Sequence, residues 1–130
     1  MTAKAQATLE NYETNLRFVH LLANAYGFQT YFFWQPALAY GDKPLAPFEQ
    51  ELKEARSKEL GGRVQRGLNA IYQEAETRSS ASESFVFLGH AFDKVQELIY
   101  VDEFHLDPRG NQVIAQAIAQ AVRLGSPRVE

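Results

Sequence analysis

The sequence predicts an α/β fold in which helices cover a small parallel sheet. Two observations support this prediction. Segments with apolar residues at helical spacing alternate with two short runs of aromatic and β-branched residues, in the order helix, strand, two helices, strand, helix. Each connection between the strands contains helices that carry the chain back over the sheet, so the strands are expected to run parallel. The 130 residues match one ordinary domain, and we assign residues 1–130 to it.

The composition argues against several classes of function. Thirteen Lys and Arg against sixteen Asp and Glu give a formal net charge of -3, which offers no broad cationic surface to nucleic acid or anionic lipid. The sequence contains no cysteine, which excludes disulfides, thiolate nucleophiles and zinc-thiolate sites. It also lacks a signal-peptide core and any apolar run of membrane-spanning length. We expect a soluble, cytoplasmic protein without nucleic-acid or membrane partners.

The first half of the chain predicts one helix and one strand. Apolar residues recur at helical spacing over about Thr8–Tyr26, and Gly27 is placed to cap the helix. Residues 1–7 are expected to form a flexible tail. The aromatic run 28–34 predicts a buried strand, which Pro36 ends. Its aromatic side chains either pack in the core, which is the favoured interpretation, or offer a surface on which a ligand stacks.

The middle of the chain predicts two helices, about Pro47–Leu60 and Val64–Arg78, separated by Gly61-Gly62. Their charged residues, including Glu49, mix both signs and indicate a solvated helical face. The serine-rich segment that follows predicts a turn.

The last third predicts a second strand and a closing helix. Residues 84–89 form another short apolar run typical of a buried strand. Asp107 followed by Pro108 is typical of a helix start, with an N-cap residue and then proline in the first turn. Residues 125–130, with a glycine and a proline, are expected to end the helix in a flexible tail. The predicted apolar face of this helix contains Val113, Ile114, Ala117, Ile118, Ala121 and Val122.

Two strands make an incomplete parallel sheet, because each leaves an outer edge of unpaired backbone groups. The sequence contains no internal repeat that supplies more strands. We therefore expect the sheet to be completed by another chain, with the edge of the Tyr31–Trp34 segment forming a homodimer.

Asp102 and His105 are the strongest candidates for chemistry. An aspartate three residues before a histidine in a loop can accept a hydrogen bond from Nδ1-H and leave Nε2 free to take a proton. The same spacing also arises in ordinary polar loops, where the histidine only packs or caps.

The segment YVDEFHLDPRGNQVIAQAIA, residues 100–119, resembles the C-terminal signature of the SGNH, or GDSL-type, hydrolase superfamily. Residues 12–38 and 85–106 are similar to that family's later helix and strands, with Gln35-Pro36 ending a strand. The resemblance implies the C-terminal part of a flavodoxin-like three-layer α/β/α fold. It also implies ester or acyl hydrolysis by a Ser-His-Asp triad without a required metal, with Asp102 orienting His105 as the general base.

The sequence departs from this family at the nucleophile. The family's Gly-Asp-Ser motif and oxyanion-hole segments precede the region that is matched, and Gly41-Asp42 is followed here by Lys43. No serine of this chain lies in a predicted strand-to-helix elbow that would expose it for attack. We expect a truncated domain that is inactive alone.

We assign no metal site and no cofactor from the sequence. His20, His90 and His105 could be combined into a metal site with Asp93 or Asp102, but they lack the compact spacing of histidine ligands on one element, so this is the less favoured interpretation. His20 is expected on a helix surface. His90 and Gln35 each follow a predicted strand, so they are expected to line a cleft at that edge of the sheet.

Three functions remain open from the sequence. The chain is a self-associating SGNH-type domain without activity, a subunit that complements a separate N-terminal hydrolase chain carrying the serine, or a module that binds a small molecule or protein through its aromatic cluster and His90.

Overall fold

A computed structural model describes residues 2–82 and 85–125 and contains five elements. Helix α1 spans Thr2–Tyr26, strand β1 Phe33–Trp34, helix α2 Pro47–Ser82, strand β2 Val86–Phe87 and helix α3 Pro108–Gly125. The protein is mostly helical, with two short parallel strands, as expected for a small α/β fold. None of the helices in these ranges is both long enough and apolar enough to cross a membrane.

The two strands pair in parallel over two residues each. Phe33 lies opposite Val86, and Trp34 lies opposite Phe87. The Val86 N-H donates to the carbonyl of Phe32 at 2.8 Å, and the Leu88 N-H donates to the carbonyl of Trp34 at 2.9 Å. Both strands are shorter than the runs predicted from sequence. Each strand has one neighbour among the described residues, so the ladder ends where that neighbour turns away.

Both strands keep a free outer edge in the described part of the chain. Parallel pairing uses every second residue of a strand, and here the bonded positions on β1 are Phe32 and Trp34. The N-H and carbonyl of Phe33 therefore point away from β2. Phe87 is in the equivalent position on β2. The sheet has two strands in the described residues, in the order β1-β2.

Helix α1 is longer than the sequence pattern suggested. The predicted start was Thr8, with residues 1–7 as a tail, whereas the helix begins at Thr2 and buries Ala5. Alanine, lysine and glutamine favour helix, and no glycine or proline interrupts this segment. The predicted C-cap is confirmed, because Gly27 has φ 71° and its N-H donates to the Ala23 carbonyl at 2.8 Å.

Helix α2 contains a break at Gly61, where φ is 64° and ψ is 152°. The predicted separation into two helices is therefore confirmed, which gives four helical segments in the described residues. The helix then continues to Ser82 through the serines for which a turn was predicted. The hydroxyls of Ser79 and Ser80 donate to the carbonyl of Glu76 in the preceding turn, so they are accommodated within the helix. Residues 83 and 84 lie outside the described residues.

One hydrophobic core lies between α1, α2 and the sheet. It contains Leu9, Leu16, Ala75 and Phe85 as buried residues. The Trp34 ring packs edge-on against Tyr12 at 5.1 Å and against Tyr72 at 5.8 Å between centroids. Of the aromatic run 28–34, Phe32 and Trp34 pack against this core, as the favoured interpretation expected, whereas Phe28 is 49% exposed and the two residues of β1 are half-buried rather than buried.

A second core supports the loops that follow the strands. Its buried members are Leu38, Phe92, Ile99 and Tyr100, and the partly buried side chains against it include Val113 and Ile114 of α3. This core fixes the start of α3 and the loop in front of it.

The N-terminus of α3 is capped as predicted. The Asp107 Oδ1 accepts a hydrogen bond from the Gly110 N-H at 2.7 Å, which satisfies one of the free donors of the first turn. We expect Asp107→Ala to lower the free energy of unfolding by about 1 kcal/mol, with Asp107→Asn much closer to wild type. Urea denaturation of both variants measures this. Equal stability of all three proteins would mean that the cap contributes nothing.

Candidate active site

A short closed loop presents the predicted aspartate and histidine. Tyr100 and Leu106 form an antiparallel bridge, and inside it the Val101 N-H donates to the His105 carbonyl at 3.0 Å. The Asp107 N-H donates to the carbonyl of Ile99 at 2.8 Å, which closes the base of the loop. The residues between the bridged positions are thereby held as a turn directly in front of α3.

Asp102 and His105 lie in hydrogen-bond contact within this loop. The Nδ1 atom of His105 lies 2.7 Å from Asp102 Oδ2. The other oxygen, Oδ1, accepts the backbone N-H groups of Phe104 and His105 at 2.8 Å each. These two backbone bonds, together with the one from the imidazole, lower the pKa of Asp102 to about 2. The carboxylate is therefore ionised and fixed in orientation near neutral pH.

The geometry leaves the far nitrogen of His105 open. A carboxylate at Nδ1 favours the tautomer that carries its proton there, so Nε2 has a free lone pair. The His105 side chain is 79% exposed, so Nε2 is accessible to a second molecule. The arrangement can accept a proton at Nε2 and stabilise the resulting imidazolium.

No hydroxyl group among the described residues is hydrogen-bonded to this nitrogen. Ser57 lies in α2, and the hydroxyls of Ser79 and Ser80 are bonded to a helix carbonyl. Ser84 and Ser126 lie outside the described residues. The structure thus brings together the predicted site residues Asp102 and His105, and no hydrogen bond joins either of them to a serine hydroxyl that the structure describes.

Glu49 anchors the base of the loop from below. Its Oε1 accepts the N-H groups of Ile99 at 2.9 Å and Tyr100 at 3.0 Å. Its Oε2 accepts Lys43 Nζ at 2.6 Å and the Ala46 N-H at 2.8 Å. The carboxylate is 0% exposed, so its assignment to a solvated helical face was wrong. A local signal existed, because glutamate in the third position of a helix commonly bonds back to the N-cap N-H.

The electrostatics of Glu49 follow from these contacts. Burial alone raises the pKa of a carboxyl group, but the bonds from Lys43 and from three backbone N-H groups outweigh it, and the net pKa is lowered. A folded-state pKa below the ordinary value means that the ionised group stabilises the fold above that value. The stabilisation is lost as the pH falls through the folded-state pKa.

This gives a pH prediction. The stability difference between wild type and Glu49→Gln should be constant near neutral pH and should shrink as the pH falls below the ordinary glutamate pKa of 4.5. Urea unfolding of both proteins over this range measures it. A difference that stays constant down to the acid limit would show that the charge of Glu49 is not coupled to folding.

A second histidine lies in a separate polar cluster. His90 Nε2 is 2.9 Å from Glu76 Oε1, and His90 Nδ1 is 2.8 Å from Asp93 Oδ2. The Tyr40 hydroxyl donates to the other oxygen of Glu76 at 2.5 Å. Partial burial lowers the pKa of His90, but the two carboxylates outweigh it and the net pKa is raised. Burial and the neighbouring Glu76 raise the pKa of Tyr40, which keeps its hydroxyl a donor.

The loops after β1 and β2 meet at this cluster. The Asp42 N-H donates to Asp93 Oδ1 at 2.9 Å. Gly41 has φ 90°, and a Cβ there would lie 2.8 Å from the Gly89 carbonyl oxygen, so only glycine allows this approach. The sequence singled out His90 and Asp93, which are three residues apart, but not Glu76 or Tyr40, because these come from α2 and from the loop after β1.

The other predicted site residues lie elsewhere. Gln35 follows β1 with its side chain exposed, and its carbonyl accepts the Tyr72 hydroxyl at 3.1 Å. It does not contact the carboxylates around His90 in the described residues. His20 lies on the surface of α1, as expected, with its Nδ1 3.0 Å from the hydroxyl of Thr30.

Comparisons of this chain with known protein families, with curated proteins and with solved structures find no match. The resemblance to SGNH hydrolases therefore depends on the motifs of the chain itself.

Proposed function

We propose that this protein supplies the general-base half of an ester- or acyl-hydrolase site of the SGNH type and is inactive alone. In this proposal the chain corresponds to the C-terminal part of a flavodoxin-like α/β/α fold. The observation that carries the proposal is the contact between Asp102 and His105, with Nδ1 bonded and Nε2 open. This is the arrangement that a histidine needs in order to act as a general base.

The proposed chemistry divides between two polypeptides. His105 Nε2 takes the proton from a serine hydroxyl as that oxygen attacks the ester or acyl carbonyl, and Asp102 stabilises the imidazolium. The histidine then returns the proton to the leaving group. The serine and the oxyanion-hole donors come from another polypeptide. Each such donor contributes about 3–4 kcal/mol of transition-state stabilisation in related chemistry, so their absence explains why this chain is proposed to be inactive alone.

The free edge of β1 is the proposed point of association. Phe33 offers an unpaired N-H and carbonyl there, which a further strand can pair with. On α1, three apolar side chains four residues apart are exposed: Phe18 at 63%, Leu22 at 52% and Tyr26 at 78%. They lie on a different side of α1 from Glu13, which forms an ion pair with Arg78 of α2. In this proposal, a partner that pairs with β1 also covers this flank of α1.

Without the serine-bearing chain, we expect the same edge to pair with a second copy of this protein. Light scattering should then give a molar mass of twice the 14.7 kDa of the chain. A p-nitrophenyl acetate assay of the same sample should give no turnover that depends on His105. The variant Phe18→Lys, on the exposed flank of α1, should weaken the dimer, whereas Leu124→Lys, at an exposed position in α3, should not.

Two outcomes would contradict the proposal. A compact monomer at all concentrations would remove the edge-pairing part. Turnover by the purified chain that is lost in His105→Ala would mean that the nucleophile is present in this chain.

The alternative function, binding of a ligand on an exposed aromatic surface, has less support in the structure. Trp34, Tyr12 and Phe85 pack against one another in the first core, so they do not form an open stacking surface.

A further inference from the structure

The His90 cluster, formed by Asp42, Glu76, His90 and Asp93, is separate from the proposed Asp102–His105 pair and can support a different kind of site. It lies where the loops that follow two adjacent parallel strands meet, which is a common place for ligand sites in open α/β sheets. His90 and Asp93 come from the loop after β2, and Asp42 comes from the loop after β1. No hydrogen bond joins this cluster to Asp102 or His105 in the described residues.

Three side chains place donor atoms within reach of one ion. One nitrogen of His90 and one carboxylate oxygen each from Asp42 and Asp93 all lie within 4.8 Å of one another. The separation of 2.8 Å between His90 Nδ1 and Asp93 Oδ2 is close to that of neighbouring ligands on one metal ion, which is roughly 3 Å for bonds of about 2.1 Å. The Asp42 backbone N-H bond to Asp93 holds the two loops together at this point.

The charges in the cluster do not balance. Asp42, Glu76 and Asp93 contribute three carboxylates, and among the described residues His90 is the only cationic partner of Glu76 and Asp93. No Lys or Arg forms an ion pair with any of these carboxylates in that part of the chain. Even a protonated His90 leaves an excess of two negative charges, which a divalent cation would neutralise.

The contact at the far side of His90 suits a metal ligand. The Glu76 carboxylate accepts a hydrogen bond from Nε2 of His90 and a second one from the Tyr40 hydroxyl. An Nε2-H bond to a carboxylate fixes the tautomer in which Nδ1 has a free lone pair, and metal-binding histidines commonly have such a partner. In this tautomer the lone pair of Nδ1 faces the oxygen of Asp93, and either a proton or a metal ion at Nδ1 would stabilise that contact.

We propose that Asp42, His90 and Asp93 form a site for one divalent transition-metal ion, with Glu76 and Tyr40 positioning the imidazole. One imidazole and two carboxylates suit Zn²⁺, Co²⁺ or Mn²⁺ better than the all-oxygen coordination of Ca²⁺ and Mg²⁺. Asp42 and His90 are exposed, so water or a ligand molecule completes the coordination. A bound ion would join the loops after β1 and β2.

The test is calorimetric titration of the chelator-treated full chain with ZnCl₂, supported by the visible absorption spectrum of the Co²⁺ form. One ion should bind per wild-type chain. His90→Gln and Asp93→Asn should abolish binding, and Glu76→Gln should weaken it by about 10–100-fold, because it alters only the outer partner. Asp42→Asn, an exposed substitution that leaves the backbone bond in place, should also lower the affinity and guards against loss through misfolding.

The matched control is His105→Gln, which removes the other histidine that contacts a carboxylate. It should bind Zn²⁺ as wild type does. Absence of binding to wild type would overturn the proposal and would leave His90 as a hydrogen-bonded bridge only. Unchanged affinity in folded His90→Gln, or loss of binding in His105→Gln alone, would overturn it as well.

Discussion

Replacing Glu49 by alanine should lower the free energy of unfolding by about 3–5 kcal/mol, because it removes one partner of a fully buried ion pair. Lys43 would keep its bonds to the carbonyls of Pro44 and Glu97 but would lose its counter-charge. The N-H groups of Ile99 and Tyr100 would lose their acceptor in a dry environment. Urea denaturation at neutral pH measures the change.

Glu51→Ala is the matched control, because Glu51 lies in the same first turns of α2 with its side chain exposed. We expect it to change stability by less than about 0.5 kcal/mol. Similar small effects at both positions would show that the buried ion pair is not formed in solution.

Replacing Phe92 by alanine should cost a similar amount, about 3–5 kcal/mol, because a large core side chain is removed and a cavity is left. Phe92 is 1% exposed and its ring packs edge-on against Tyr100 at 5.5 Å. Since Tyr100 begins the loop that carries Asp102, the substitution should also weaken the hydrogen bond between Asp102 and His105.

Two measurements separate these effects. Chemical denaturation gives the loss of stability, and the NMR signal of the His105 Nδ1 proton reports whether its bond to Asp102 persists. Phe18→Ala, on the exposed flank of α1, is the control and should change neither in the monomeric state. A Phe92→Ala protein as stable as wild type would contradict the second core as described.

Local features of the structure could be predicted from sequence. The Asp107 cap and the contact between Asp102 and His105 each involve residues three positions apart. The cap at Gly27 also lies within one helical turn of its acceptor. Such contacts depend on backbone geometry that a short segment encodes by itself, so residue type and spacing were sufficient to predict the two caps. For Asp102 and His105 the spacing alone left an ordinary polar loop open, and the resemblance to SGNH hydrolases favoured the contact.

Features that depend on distant parts of the chain could not be predicted in this way. Glu49 meets Ile99 from 50 positions away, and Asp42 meets Asp93 from 51 positions away. The mixed charges of α2 therefore led to a wrong prediction for Glu49. Its side chain is buried because the loop that contains Ile99 and Tyr100 folds over it. The lengths of the strands were overestimated for a related reason, since a ladder extends only as far as its partner. Ser79 and Ser80 lie in the helix rather than in the predicted turn, and their hydroxyls bond to the carbonyl of Glu76.

A complementation assay tests whether Asp102 and His105 act as the general-base half of a hydrolase site. The full chain is mixed with an N-terminal SGNH-hydrolase fragment that carries the serine and the oxyanion hole, and complex formation and ester hydrolysis are followed together. We expect a complex with esterase activity that His105→Ala abolishes, that Asp102→Asn strongly reduces and that His20→Ala leaves intact. A stable complex without activity, or activity that survives His105→Ala, would contradict the assignment of Asp102 and His105 as the base half of the site.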